Sequence, residues 1–210
     1  MRPFFVEFTG TPFAGKTTCI EQLKIELSSK CGLNVEVITD ISDIVPPSIP
    51  IDHFDYTHYR CFATILDIIE YSHHECDIVL VDKGYWDCAF YLHYLLQEKT
   101  YPEAQVRQLF QPFMNNSLQP NLVLALFCSY QVAQERGLED TEADVAFVHT
   151  ETTINLYNSM LQANLDTIRN TTPNRIITTS DLLCEQIVKL STYYIIDALM
   201  KFQAQNQGTQ

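Results

Sequence analysis

The segment from Gly10 to Thr18 constrains the fold of this chain more than any other feature. It reads Gly-Thr-Pro-Phe-Ala-Gly-Lys-Thr-Thr and satisfies the pattern G-x-x-x-x-G-K-[ST]. This pattern is informative only when a buried strand precedes it and a helix follows it. The apolar run from Phe4 to Phe8 predicts that strand, and the spaced apolar residues from Ile20 to Cys31 predict that helix. The segment is therefore expected to be a phosphate-binding loop between a first strand and a first helix.

The residue types in this loop define its chemistry. Its glycines allow successive backbone N–H groups to curl around an anion, and the helix that starts near Lys16 adds the positive end of its dipole. Lys16 is expected to neutralise the β- and γ-phosphates of ATP or a similar nucleotide, and the Thr17 hydroxyl to bind Mg²⁺. The predicted nucleotide-binding residues are Gly10, Thr11, Pro12, Phe13, Ala14, Gly15, Lys16, Thr17 and Thr18. A glycine turn that matches by chance is disfavoured because both flanks also fit.

Buried strands alternate with helices along the rest of the chain. Further strands are predicted at Val35 to Thr39, Asp77 to Asp82, Leu122 to Phe127 and Arg175 to Thr178. A helix is predicted over residues 54–71, and further helical segments are expected between and after the later strands. This alternation predicts an α/β fold, a doubly wound five-stranded parallel sheet with helices on both faces, in one domain of residues 1–210. The polar residues 203–210 are expected to form a frayed tail.

Charge and cysteine usage narrow the range of partners. The sequence has 13 basic and 26 acidic residues, a net charge of -13, and its Lys and Arg residues are scattered singly. Nucleic-acid polymers and anionic membranes are therefore not expected as partners, whereas a small-molecule phosphate acceptor is compatible with a local positive pocket. The seven cysteines form no CxxC pair, and no apolar run is long enough to span a membrane. A cytoplasmic protein with reduced thiols is expected.

Asp82 ends the third predicted strand. In a doubly wound sheet this position lies at the crevice beside the phosphate loop. A carboxylate there binds Mg²⁺ or its water ligands, so Thr17 and Asp82 together form the predicted metal site. The alternative is a solvated aspartate at a strand end, which the loop upstream makes less favourable.

The residues around Asp82 lead to a family resemblance. Neither the N-K-x-D nor the D-x-x-G segment of GTPases is present. The run from Ile78 to Tyr85 instead resembles the strand and Asp-Arg-aromatic motif of the thymidylate kinase and deoxynucleoside kinase group of P-loop phosphotransferases, with Lys83 in place of the usual arginine. Arg60 lies at a spacing similar to that of the acceptor-phosphate arginine of this group. The segment from Pro120 to Arg136 is similar to its fourth strand and the arginine-bearing helix before the lid.

The resemblance implies a Mg²⁺-dependent transfer of phosphate from ATP to a nucleoside or a nucleoside monophosphate. Its candidate catalytic residues are Lys16, Asp40, Arg60, Asp82 and Arg136. Asp40, at the end of the second strand, would be the base for a hydroxyl acceptor, whereas a monophosphate would mainly need a clamp such as Arg60. Each has a plainer alternative: Asp40 caps the turn before Ile41, Arg60 is a surface residue of an amphipathic helix, and Arg136 follows the common preference of helix ends.

Several features leave the acceptor open. The lid implied by the resemblance covers about residues 137–146, where every charged residue is acidic. This composition and Lys83 also fit a rival, a nucleotide-binding regulatory protein without transferase activity. A kinase of a non-nucleoside hydroxyl on the same scaffold is a further alternative. Six aromatic residues either line a pocket for a flat ring or pack in the core: Phe54, Tyr56, Tyr59, Tyr85, Trp86 and Tyr91. The run His73 to Cys76 matches no metal-site spacing. A homodimer is implied by the resemblance alone.

Overall fold

The chain alternates strands and helices in the order that the sequence predicts. The computed structural model describes residues 2–41, 44–50, 54–90, 104, 119–137 and 150–207. Its strands and helices are β1 (Phe4–Gly10), α1 (Lys16–Cys31), β2 (Val35–Ile38), α2 (Phe54–Tyr71), β3 (Ile78–Asp82), β4 (Leu122–Phe127), α3 (Tyr130–Glu135), α4 (Glu151–Ile168), β5 (Asn174–Thr178) and α5 (Cys184–Gln207). Residues 85–90 are also helical.

The five strands form one parallel sheet in the order β2-β3-β1-β4-β5. The central strand β1 pairs with β3 up to Phe8 opposite Asp82, and with β4 up to Gly10 opposite Leu126. Because the strands are parallel, their carboxyl ends meet at one edge of the sheet. The predicted five-stranded parallel sheet is confirmed, and it brings the phosphate loop and the end of β3 to the same edge.

Helices cover both faces of the sheet, and alternate residues of β1 face the two layers. On one face Phe8 packs in a buried cluster with Leu23 of α1 and Ile195 of α5. A second cluster contains Cys61 of α2, residues from the 85–90 helix and Leu161 of α4. Every residue of β1 is buried, as expected for a central parallel strand with both faces covered.

Glycine sets both ends of α1. Gly15, with φ 90°, precedes the first residue of the helix, and Gly32, with φ 67°, follows its last. The Gly32 N–H donates to the Leu27 carbonyl and so satisfies an end carbonyl of the helix. The end predicted near Cys31 is therefore confirmed.

The C-terminal helix reaches further than expected. α5 ends at Gln207, so residues 203–207, which the sequence predicts as a frayed tail, are helical. Alanine and glutamine have good helix propensity, so they extend a helix that the packed residues before them have already formed. Within the described ranges, no helix combines the length and hydropathy of a membrane span. Tyr91, residues 138–146 of the implied lid and residues 208–210 lie outside the described residues.

Candidate active site

The last residue of β1 and two residues of the loop between β1 and α1 have left-handed backbone. Gly10 has a φ of 131°, and a Cβ there would lie 2.0 Å from the carbonyl oxygen of Leu126, so this position admits only glycine. Phe13 and Gly15 are also left-handed, with φ 58° and 90°. Left-handed residues within such a turn create the concave arrangement of N–H groups that binds anions. This backbone is compatible with the phosphate-binding loop that the sequence pattern predicts.

Lys16 is the first residue of α1, directly after this loop, and it is buried. Its ammonium donates to the carbonyl oxygens of Gly10, at 3.0 Å, and of Thr11, at 2.8 Å. Burial, together with the positive charge of Lys83, lowers the pKa of Lys16 to about 8. An anion bound in the loop would offset both effects and favour the charged form.

The predicted metal residues lie side by side. The Thr17 hydroxyl donates to Asp82 Oδ2 at 2.5 Å. Burial raises the pKa of Asp82, and its Oδ1 is buried without a hydrogen-bond partner in the described part of the chain. Buried carboxylate oxygens normally have a partner, and a hydroxyl with a carboxylate is a set of hard oxygen donors suited to Mg²⁺. The residues present therefore fit a magnesium ion.

Asp40 follows β2 and lies between two cations. Its Oδ1 accepts a hydrogen bond from Arg60 at 3.1 Å, and its Oδ2 accepts one from Lys83 Nζ at 2.6 Å. Lys83 is left-handed, with φ 56°, and its N–H donates to the Phe8 carbonyl at 2.9 Å. Burial and the charge of Arg60 oppose the charge of Lys83, but the hydrogen-bonded Asp40 together with Asp87 outweighs them, so the pKa of that ammonium is raised. Residues 42–43 are not described, so the turn that Asp40 would cap stays untested.

Arg60 is buried, so its alternative as a surface residue is wrong. Only 6% of it is exposed. Its guanidinium bonds to Asp40 and also lies 4.0 Å from Asp87 Oδ2. Arg60 Nε is buried and has no hydrogen-bond partner among the described residues. Asp40, Arg60, Lys83 and Asp87 thus form one charged cluster at the carboxyl edge of the sheet.

The residues of β1 and α4 that contact this cluster were not predicted from the sequence. Asp87 Oδ1 accepts hydrogen bonds from the Thr9 hydroxyl at 2.7 Å and the Tyr157 hydroxyl at 3.4 Å. Glu7 in turn accepts from the Asp87 N–H at 2.8 Å. Burial raises the pKa of Glu7 to about 8 in spite of backbone hydrogen bonds from Trp86 and Asp87. A lone carboxylate within an apolar strand was the signal that could have identified Glu7.

Asn158 of α4, which was also not predicted, contacts the phosphate loop. The Thr11 hydroxyl donates to Asn158 Oδ1 at 2.7 Å and accepts from the Cys128 N–H at 3.1 Å. Asn158 Nδ2 donates to the Cys128 carbonyl at 3.1 Å. Both ends of the asparagine amide are therefore engaged between the loop and the end of β4. No local pattern around Asn158 predicts this contact.

Arg136 lies apart from the charged cluster. It caps the C-terminus of α3 and donates to the hydroxyl of Thr179 at 3.1 Å and to its carbonyl at 2.8 Å. Burial raises the pKa of the Cys128 thiol, and the positive charge of Arg136 acts against this rise. The structure therefore ties Arg136 to Thr179, directly after β5.

The aromatic residues divide between the core and the surface. Tyr85 and Trp86 are 1% and 3% exposed and pack in the core, whereas Tyr59 is 39% exposed. The Tyr56 ring lies 6.0 Å from the guanidinium carbon of Arg60, while the Phe54 side chain is not described. In the described ranges no three His, Cys, Asp or Glu side chains form a metal site, so His73 to Cys76 do not form one.

Comparison with known proteins gives the fold an independent test. No family model and no curated protein sequence matches the chain. Deoxyadenosine kinase from M. mycoides with bound dATP is similar in structure, with a TM-score of 0.71, 14% sequence identity, and coverage of 91% of this chain and 99% of that one. The same kinase with bound dCTP gives a TM-score of 0.70 at 14% identity over 92% and 100% of the two chains.

A further structure of that kinase, with the products dCMP and a flexible dCDP, gives a TM-score of 0.68 at 14% identity over 92% and 99% of the chains. At this identity the likeness shows a shared fold and no more. The fold is that of the α/β P-loop kinases, as the sequence predicts.

Proposed function

We propose that this chain is a phosphotransferase that moves the γ-phosphoryl group of ATP, with Mg²⁺, to a hydroxyl group of a small neutral acceptor, and that the favoured acceptor is a deoxynucleoside. One observation carries the proposal. The carboxylate of Asp40 lies between Arg60 and Lys83 at the same sheet edge as the phosphate loop. The fold shared with the M. mycoides deoxyadenosine kinase supports the acceptor class.

The charge balance of the cluster favours a neutral acceptor over a monophosphate. Arg60 is paired with Asp40 and Asp87, and Lys83 is paired with Asp40. Two acids and two bases leave no net charge there, so a dianionic phosphate would have to displace a carboxylate before it gained a cation. A hydroxyl acceptor needs no such exchange, and it needs a carboxylate that takes its proton.

The donor side has the groups that phosphoryl transfer requires. Lys16 would bind the β- and γ-phosphates, and Thr17 and Asp82 would hold the magnesium ion. That ion supplies positive charge to the phosphate oxygens when it is bound. The unpartnered Arg60 Nε would donate to the γ-phosphoryl group or the acceptor oxygen.

The transfer step uses Asp40 as the proton acceptor. The acceptor hydroxyl oxygen forms a bond to the γ-phosphorus while the bond from that phosphorus to the β,γ-bridging oxygen breaks. The hydroxyl proton moves to a carboxylate oxygen of Asp40, and ADP leaves with the bond's electron pair. Lys83, whose pKa is raised, stays charged beside the transferring group.

A coupled assay with mass detection of the product tests this function. The acceptors are the four common deoxynucleosides, their monophosphates and a panel of sugars, each with Mg²⁺ and ATP. Lys16→Ala and Asp40→Asn are compared with wild type, and the exposed Lys189→Ala and Asp181→Asn serve as matched controls. We expect deoxynucleoside turnover that Asp40→Asn lowers by about a hundredfold or more, the usual contribution of a general base.

Other outcomes select the rivals. Turnover of a monophosphate that survives Asp40→Asn would make the chain a nucleotide kinase with Arg60 as its clamp. Product from a sugar alone would indicate a non-nucleoside kinase. Tight ATP binding, weakened in Lys16→Ala, with no product from any acceptor would indicate a nucleotide-binding regulatory protein and contradict the proposal.

A further inference from the structure

Two neighbouring residues of α4 contact the two halves of the site separately. Asn158 bonds to the phosphate loop through Thr11, and Tyr157 bonds to the charged cluster through Asp87. Adjacent positions on a helix point about 100° apart, so one short stretch of backbone serves both contacts. Neither residue belongs to the loop motif or to the charged cluster.

The contacts of Asn158 lead through Thr11 to Lys16, the lysine proposed to bind the phosphates. Thr11 uses its hydroxyl for Asn158 and its carbonyl for Lys16 Nζ, at 2.7 and 2.8 Å. Thr11 is also held by its N–H, which donates to the Leu126 carbonyl at 3.0 Å. With three of its polar groups engaged, Thr11 transmits the position of Asn158 to the carbonyl that holds Lys16.

The branch through Tyr157 ends on the proposed base. The Tyr157 hydroxyl donates to Asp87 Oδ1, Asp87 Oδ2 lies 4.0 Å from Arg60, and Arg60 donates to Asp40 at 3.1 Å. Asp87 is 5% exposed and Arg60 6%, so the middle of this chain of contacts is buried, while Tyr157 and Asp40 at its two ends are partly exposed. Hydrogen bonds in such a low-dielectric environment are stronger than in water.

We propose that Tyr157 and Asn158 are positioning residues that fix the spacing between the phosphate loop and the charged cluster. The inference rests on the proposed function, because spacing matters only when a donor and an acceptor must react across it. Phosphoryl transfer depends mainly on alignment of the reacting atoms, and small displacements lower the rate strongly. α4 is the rigid element to which both halves are attached.

The test separates alignment from binding. We expect Asn158→Ala, which loses two hydrogen bonds, and Tyr157→Phe, which loses one, each to lower kcat by about three- to tenfold, and to leave KM for ATP and for the deoxynucleoside within about twofold. Asn155→Ala, an exposed asparagine on the same helix, is the matched control and keeps the wild-type kcat. Thermal unfolding of each variant is measured alongside.

A double-mutant cycle measures the coupling in kcat between two variants, which a purely structural role of Asn158 would not produce. Thr11→Val removes the bond to Asn158 from the loop side, together with the bond that Thr11 accepts from the Cys128 N–H, and it also serves if Asn158→Ala does not fold. We expect the loss of kcat in Thr11→Val with Asn158→Ala to be smaller than the product of the two single losses, because the bond that the two residues share is lost only once. Additive losses, unchanged kcat in both α4 variants, or a loss that simply follows the unfolding temperature would each overturn the inference. If the wild type turns over and Asn158→Ala has the same kcat, only this inference is refuted. If the wild type shows no turnover, the proposed function is refuted and this inference with it.

Discussion

Glu7 is expected to destabilise the folded chain at neutral pH. This carboxyl group is 1% exposed in the central strand, and burial raises its pKa from 4.5 to about 8. In the unfolded chain the group would titrate near its ordinary value. Between these two values the folded protein binds a proton that the unfolded chain does not, so the free energy of unfolding falls as pH rises through that window. Replacement by glutamine removes this effect, because glutamine is neutral, has the same shape, and can accept the Asp87 N–H bond.

The size of the effect follows from the shift. Each pH unit between the two pKa values changes the free energy by about 1.4 kcal/mol, so at pH 7 the folded state loses about 3 kcal/mol through this group. Below about pH 4.5 the loss vanishes, and above about pH 8 it stays constant. Glu7→Gln should therefore be more stable than wild type at neutral pH, and the difference should shrink as pH falls.

Urea unfolding of wild type and Glu7→Gln at about pH 5, 6 and 7 measures this difference directly. The exposed Glu185→Gln is the control for loss of one negative charge. The expected result is a difference between wild type and Glu7→Gln that grows by about 1.4 kcal/mol for each pH unit, with no such trend in the control. A difference that does not change with pH, or a wild type that is the more stable protein at pH 7, would show that Glu7 is ionised without penalty in the folded state.

Three further predictions concern the donor side. Burial lowers the pKa of Lys16 to about 8 without ligand, so above that pH most of the lysine is neutral and the affinity for ATP, measured by calorimetry, should fall close to tenfold for each pH unit. An affinity that does not change with pH would contradict this. Gly10→Ala should lower the free energy of unfolding by roughly 3 kcal/mol or more, because its Cβ would lie 2.0 Å from a backbone oxygen. Gly15 has a φ of 90°, but a Cβ added there would lie in open space, so Gly15→Ala should lower the free energy of unfolding by only about 1–2 kcal/mol. Equal losses in the two alanine variants would argue against the packing explanation. Asp82→Asn should raise the Mg²⁺ concentration for half-maximal turnover by about tenfold or more, and an unchanged requirement would remove Asp82 from the metal site.

The fold could be predicted because its signals are local. The loop from Gly10 to Thr18 contains its own glycines, lysine and hydroxyl, and strands such as Ile78–Asp82 are continuous apolar runs that end in a polar residue. Such patterns depend only on neighbours in the sequence. The sheet and the meeting of Thr17 with Asp82 followed from them.

The charged cluster could be predicted only in part, because its contacts join distant elements. Asp40, Arg60 and Lys83 come from three separate segments, and the resemblance suggested their roles without their mutual pairing. Whether Arg60 lies on the surface or inside depends on what covers α2, which periodicity does not show. Asn158 is a single polar residue on an amphipathic helix, and nothing in its neighbourhood distinguishes it from the exposed Asn155.

The alternation along β1 also limits which insertions and deletions this chain can accept in evolution. Phe8 belongs to the core shared with α1 and α5, while the flanking Glu7 and Thr9 bond to Asp87 on the other side of the sheet. Inserting or deleting one residue before Gly10 would exchange the two sets, placing a carboxyl group in the apolar layer and a phenyl ring against Asp87. A change in the length of β1 before Gly10 therefore preserves this alternation only when it adds or removes two residues at a time.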